Sequence, residues 1–210
     1  MGIKERKQRE KELRRRQILE AAKELFMLKG FKFGTMEEIA EKAELNPATI
    51  YQYFASKDDL HASLALESLQ YLLKQTTEIH QNKKLSIENK IRRFRDAMYK
   101  TYESDPQLFR NVLQFQLATD FKSLNSEMLN QFNEIYRKLV NMFANVYEDG
   151  VRQGKFRGGQ KMAHADIILG SFLGLMLWED AKNRVNPRKD FFRSTLDKAF
   201  EIFIRGIKKD

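Results

Sequence analysis

Thr35-Met36-Glu37-Glu38-Ile39-Ala40-Glu41-Lys42-Ala43-Glu44-Leu45-Asn46-Pro47-Ala48-Thr49-Ile50-Tyr51-Gln52-Tyr53-Phe54 reads as two short helices on either side of a sharp break. Thr35 with Glu38 has the capping-box spacing that opens a helix. Met36, Ile39, Ala40 and Ala43 then recur at helical intervals. Glu44-Leu45-Asn46 is the break. Asn46 supplies a side-chain cap, and Pro47 fits the first helical position, where a missing N–H costs nothing. Ile50 and Phe54, four apart, turn to the core. Ala48, Thr49, Gln52 and Tyr53 then turn outward. Helix, tight turn, helix is the geometry that this spacing predicts.

Working outward, the same punctuation recurs. Asp105-Pro106 and Asn186-Pro187 repeat the cap-then-proline pattern, Ser56-Lys57-Asp58-Asp59 is close to a capping box, and Gly30 and Gly154 read as helix stops. Between these marks the apolar spacing predicts helices at 1–29, 36–43, 47–54 and from 58 to about 83. Others follow near 86–104, 106–118, 126–153, 160–183 and 187–207. No stretch alternates with period two, and 210 residues carry only three Pro and ten Gly. The fold class is therefore all-α, with about nine helices. The expected domains are 1–57, a basic arm with the helix-turn-helix, and 58–210, the remaining helices.

Composition removes several functions. There are no cysteines, so disulfides, thiolate metal sites and cysteine nucleophiles are excluded. His61, His80 and His164 form no paired metal motif. No Gly-rich phosphate loop or nucleophile elbow is present, so neither an enzyme nor a metal or other cofactor is expected. The longest uncharged apolar run, Ile167 to Trp178, falls short of the roughly 18 residues that a membrane span needs. The N-terminus has no apolar signal core. No membrane role and a cytoplasmic location are the expectations, and a basic amphipathic protein of membrane surfaces is the reading set aside. Net charge is +9. Residues 1–16 hold eight basic and three acidic groups, +5, whereas residues 17–60 carry −3. The expected ion pairs within the arm are Glu5/Arg9, Glu10/Arg14 and Glu12/Arg16, all at i, i+4.

The second helix of the opening stretch suits a DNA major groove, which admits one helix with its N-terminal residues at the base edges. Gln52 can bond adenine, and Thr49 and Ala48 can meet a thymine methyl. Tyr51, Lys57 and Thr35 can hold phosphates, which positions the protein without reading sequence. Arg14, Arg15 or Arg16 can add contacts from the arm. The run Ile18-Leu19-Glu20-Ala21-Ala22-Lys23-Glu24-Leu25-Phe26, with Gly30-Phe31, Thr35, Ile39-Ala40, Ala43, Thr49-Ile50-Tyr51-Gln52-Tyr53-Phe54 and Lys57-Asp58-Asp59-Leu60, resembles the DNA-binding domain of the TetR family of transcriptional regulators. It departs from many members at Glu44, where they carry Gly, and at Asn46 and Ala48, where they carry Ser and Gly.

The resemblance implies a homodimeric repressor of double-stranded operator DNA, released by a small effector that is hydrophobic or amphipathic, such as an acyl-CoA. The implied DNA-binding residues are Thr35, Met36, Asn46, Pro47, Ala48, Thr49, Tyr51, Gln52, Tyr53 and Lys57. The C-terminal helices would bind ligand and dimerise. Twelve of sixteen Phe lie beyond residue 60, and Phe94, Met98, Phe115, Tyr136 and Phe172 are the expected pocket lining. Arg92, Arg93 and Arg95 are candidates for an anionic head group. Gly170, Gly174, Phe192, Leu196, Ala199 and Phe203 are the expected dimer seam. The fourth helix, starting at Lys57, is the expected lever between ligand and DNA.

Overall fold

A computed structural model describes residues 2–104, 125–186 and 191–209. The described residues form eight helices: α1 (Ile3–Lys29), α2 (Met36–Lys42), α3 (Pro47–Tyr51), α4 (Lys57–Gln81), α5 (Ile87–Ser104), α6 (Ser126–Arg152), α7 (Lys161–Val185) and α8 (Phe192–Ile207). No strand occurs among them beyond one bridge between Phe156 and Lys208. The helix expected at 106–118 lies outside the described residues.

The chain divides into two compact units. Unit 1 comprises residues 1–67 and 107–129, and unit 2 comprises 68–106 and 130–210, with the division inside α4. Unit 1 is built on the inward stripe of α1. Ile18, Ala22, Leu25 and Phe26 pack with Ile39 and Ala40 of α2, Ile50 and Phe54, and Leu60 and Leu64 of α4. Burial of each large apolar side chain contributes about 1.5–3 kcal/mol, so this small unit needs all of them.

The caps act as the sequence predicts. Thr35 Oγ1 accepts from the Glu38 amide (3.2 Å) while the Glu38 carboxylate accepts from the Thr35 amide (3.1 Å). Asn46 Oδ1 accepts from the Ala48 amide (2.9 Å), and Ser56 Oγ accepts from the Asp59 amide (3.0 Å). Gly30 ends α1 at φ 80°, its amide donating to the Phe26 carbonyl.

Unit 2 has its own core, with Phe94 and Met98 of α5, Leu139 and Phe143 of α6, Phe172 and Met176 of α7, and Phe192, Leu196 and Phe200 of α8. Phe94 meets Phe143 at 4.5 Å between ring centres. The chain end is tied down by backbone bonds from Arg157 to the Ile207 carbonyl (2.8 Å) and from Lys209 to the Lys155 carbonyl (2.9 Å).

Three expectations about elements need correction. The last helix begins at Phe192, not Pro187, which lies outside the described residues. The Phe191 amide is taken by the buried Glu179 carboxylate (3.2 Å), so Phe191 cannot sit inside a helical ladder. The third helix is assigned only over Pro47–Tyr51, although the Phe54 amide still bonds the Ile50 carbonyl (3.0 Å). Within α1, Glu10 pairs back to Arg6 (3.0 Å) rather than forward to Arg14, which donates to Gln17 (2.9 Å), and Glu12 accepts from Gln8.

Helix α7 is also more apolar than the run Ile167–Trp178 suggested. By length and composition, Lys161–Asn183 reaches a mean hydropathy of 1.2, the level at which a helix can cross a membrane, yet only 28% of that window is buried. Its inward face is not lipid-like throughout. Glu179, 1% exposed, is paired there with Lys182 at 2.5 Å.

Candidate nucleic-acid interface

The turn between α2 and α3 is held from behind. Gln17 of α1 donates its side-chain amide to the Ala43 carbonyl (2.7 Å), and the Leu45 amide bonds the Ala40 carbonyl (2.9 Å). Glu44 takes φ 53°, the left-handed conformation usually left to Gly. The chain therefore makes the same tight turn that a glycine would make, at some cost in strain. Gln17 was not among the residues singled out from sequence; only its place just before the inward Ile18 hints at a positioning role.

On this base, α3 exposes one side. Asn46, Pro47, Ala48, Tyr51 and Gln52 are exposed and Thr49 is half-exposed, while Ile50 is buried. Phe54 is buried, as expected. Tyr53 leans partly on the core. Thr35 is exposed at the N-cap of α2, and its hydroxyl, accepting from Glu38, still has a proton to donate. Met36 is buried, so only its backbone faces outward. Asn46, Pro47, Ala48, Thr49, Tyr51 and Gln52 thus lie together on the second helix and the turn before it, while Thr35 stands exposed at the far end of α2.

Lys57 is placed differently from a free phosphate ligand. Its ammonium donates to the carbonyls of Phe31 (2.9 Å), Gly34 (3.0 Å) and Lys32 (3.4 Å), and lies 4.6 Å from the Phe31 ring centre. That ring stacks on His61 (4.1 Å), which meets Phe26 edge-on. Lys57 therefore ties the loop between α1 and α2 to the start of α4. A second brace starts at Arg15, whose guanidinium sits 5.1 Å from the Phe54 ring centre and 3.9 Å from Glu67. Burial pushes the Glu67 carboxyl above its ordinary range, with Arg15 pulling the other way. A third joins Lys29 and Glu38 (2.5 Å), and that hydrogen bond, with the Thr35 amide, holds the Glu38 carboxyl below its ordinary range.

In unit 2 the expected pocket residues do not share one described cavity. Phe94, Met98 and Phe172 are buried core, Tyr136 is half-buried beside Phe132, and Phe115 lies outside the described residues. Phe172 instead lines a groove of about 300 Å³ between α7 and α8, with Leu196, Ala199, Ile202 and Phe203. Among the expected seam residues, Phe192 and Leu196 are enclosed within the protomer and out of reach of a second copy. Gly170 and Gly174 are exposed, and a Cβ on either would meet nothing within 4 Å. Exposed Ile167, Leu177 and Trp178 continue their face, a feature that the sequence reading passed over. Arg92 and Arg95 line a separate groove of about 620 Å³ with Lys198, Arg205 and Lys208. Arg95 is bound there to Asp197 (3.1 Å).

With this geometry in view, residues 18–64 match the family model described as bacterial regulatory proteins, tetR family. Two similar proteins come from Bacillus subtilis strain 168. The HTH-type transcriptional regulator YfiR is 25% identical over 153 residues, 73% of each chain. The fatty acid metabolism regulator protein is 26% identical over 144 residues, 68% of this chain and 71% of that one. The crystal structure of the transcriptional regulator FadR from Bacillus subtilis, in complex with stearoyl-CoA, superposes with a TM-score of 0.72 at 22% identity. It covers 91% of this chain and 98% of that one.

Proposed function

The chain belongs to the TetR family of transcriptional regulators, and from that premise we propose that it works as a homodimeric repressor, released from operator DNA by a small, largely apolar ligand. The observation that carries the reading is the exposed face of α3. Thr49, Tyr51 and Gln52 project from a helix whose opposite side, at Ile50, packs into an apolar core. Thr49 and Gln52 read base edges, while Tyr51, Thr35 and the amides of the α2 N-terminus hold phosphates. Lys57 supports that surface by fixing the loop behind it. Residues 1–57 carry the DNA contacts and 58–210 the ligand and the dimer seam.

The dimer is part of the reading because two recognition helices must sit about 34–36 Å apart to reach successive major grooves. The open, apolar face around Gly170 and Gly174 supports a seam there. The half-buried Ala199 and Phe203 adjoin it. An acyl-CoA is the ligand class supported by the stearoyl-CoA complex of the similar FadR, and Phe94, Met98, Phe115, Tyr136 and Phe172 remain the proposed lining. Such a ligand releases DNA only if it binds the off-operator conformation more tightly.

The test is footprinting on the DNA flanking the chain's own gene. The purified protein should protect a two-fold symmetric site, and stearoyl-CoA should abolish the protection. Thr49→Ala with Gln52→Ala should erase the preference for that site over random duplex. No protected site at any protein concentration would remove the reading.

A further inference from the structure

The first three turns of α1 stand clear of the described core. Residues 2–14 are exposed throughout, yet they continue the helix without a break. Lys, Arg, Glu and Gln favour helix, but a helix of this length without packing is marginal. About 18 Å of it, at 1.5 Å per residue, project beyond the packed domain.

Its charges are sorted by face. Lys4, Lys7, Lys11 and Arg15 follow the three- and four-residue spacing of a single stripe, which continues as the buried Ile18, Ala22 and Leu25. Glu5, Glu10 and Glu12 fall off that stripe and are engaged elsewhere. Glu5 accepts from the Gly2 amide (3.1 Å), Glu10 from Arg6 (3.0 Å) and Glu12 from Gln8 (3.2 Å). Lys4, Lys7 and Lys11 have no acidic partner among the described residues. Like charges at these spacings oppose helix formation, so the stripe is unfavourable unless a polyanion meets it.

The root of the arm shows which polyanion. Gln17 is bonded to the turn between α2 and α3, and Arg15 lies over Phe54 at the end of the recognition segment. The arm thus leaves the domain from beside the helix-turn-helix. We propose that it is a second DNA-contacting element, which lays Lys4, Lys7 and Lys11 along the phosphates of duplex flanking the recognition helix. This inference rests on the DNA-binding reading above. Lysines act here as point charges that add affinity without reading bases.

The experiment compares the wild type with Lys4→Gln/Lys7→Gln/Lys11→Gln and with a control of equal charge loss, Lys83→Gln/Lys84→Gln/Lys100→Gln. Binding is measured from 50 to 200 mM salt, on a labelled 30-base-pair random duplex and on the fragment flanking the gene. In the arm variant the slope of log affinity against log salt should flatten by about 2.7 per arm. Raising salt over that range would then cost about forty-fold less affinity per arm. Both duplexes should weaken equally, so discrimination between them is kept. The control should match the wild type. An arm variant with the wild-type slope overturns the proposal. So does loss of binding to phosphatidylglycerol vesicles with the DNA slope unchanged, which would assign the stripe to a lipid surface. A wild type that binds neither duplex sinks the DNA-binding reading itself, whereas a wild type that binds both, with an arm variant that matches it, removes only the arm.

Discussion

At Glu44 the backbone holds φ at 53°, a conformation that costs a non-glycine residue about 1–2 kcal/mol. The bonds at Ala43 and Leu45 hold the turn in place, so the strain persists. Lys57, at the start of α4, stabilises a different loop, the one between α1 and α2, by satisfying three carbonyls at once. Replacing it with Met keeps the stem on Phe31 but strips the donors. The expected loss is about 2 kcal/mol, in line with hydrogen bonds from a charged group. Urea denaturation followed by circular dichroism measures it, and unchanged stability would mean that the ammonium is free for another partner. At this scale the sequence was half legible. Residue type and spacing identified Lys57 and Glu44 as special positions. The partner of Lys57 was not readable, because it is three carbonyls, and backbone atoms carry no sequence signal.

Helix starts were legible wherever a side chain closes its own cap, as at Thr35, Asn46 and Ser56. They failed where a distant group decides. Phe191 is drawn out of a helical ladder by Glu179, twelve residues earlier, and no local pattern announces that. At the α6–α7 junction the helix bounds were legible, but a distant ring decides what one position tolerates. Gly150 sits within α6, where propensity alone would favour Ala by about 1 kcal/mol. The Phe156 ring lies against it so closely that an added Cβ would stand 2.1 Å from the nearest ring carbon. Phe156 is itself held by the bridge to Lys208 and is 2% exposed, so it has little room to yield. Gly150→Ala should therefore destabilise, by about 1–3 kcal/mol as overpacking does, against the propensity trend. A thermal melt shows the sign directly. A rise in melting temperature would mean that the ring swings clear.

For the whole molecule, the proposed dimer turns on α7, a helix rich in apolar residues but buried over little more than a quarter of its most hydrophobic window. Within one protomer the unburied side is unexplained, since Gly170 and Gly174 make room for nothing there. Removing a glycine from a helix interior should, if anything, stabilise an isolated protomer. A close-packed second helix reverses that expectation, because any side chain at Gly174 would hold the two backbones apart. Gly174→Glu should then leave helix content and protomer stability intact while halving the mass seen by sedimentation or native mass spectrometry. Operator affinity should fall with the dimer, because one recognition helix loses the half-site its partner held, whereas contact with random duplex should change far less. A Gly174→Glu protein that stays dimeric would place the seam on another face.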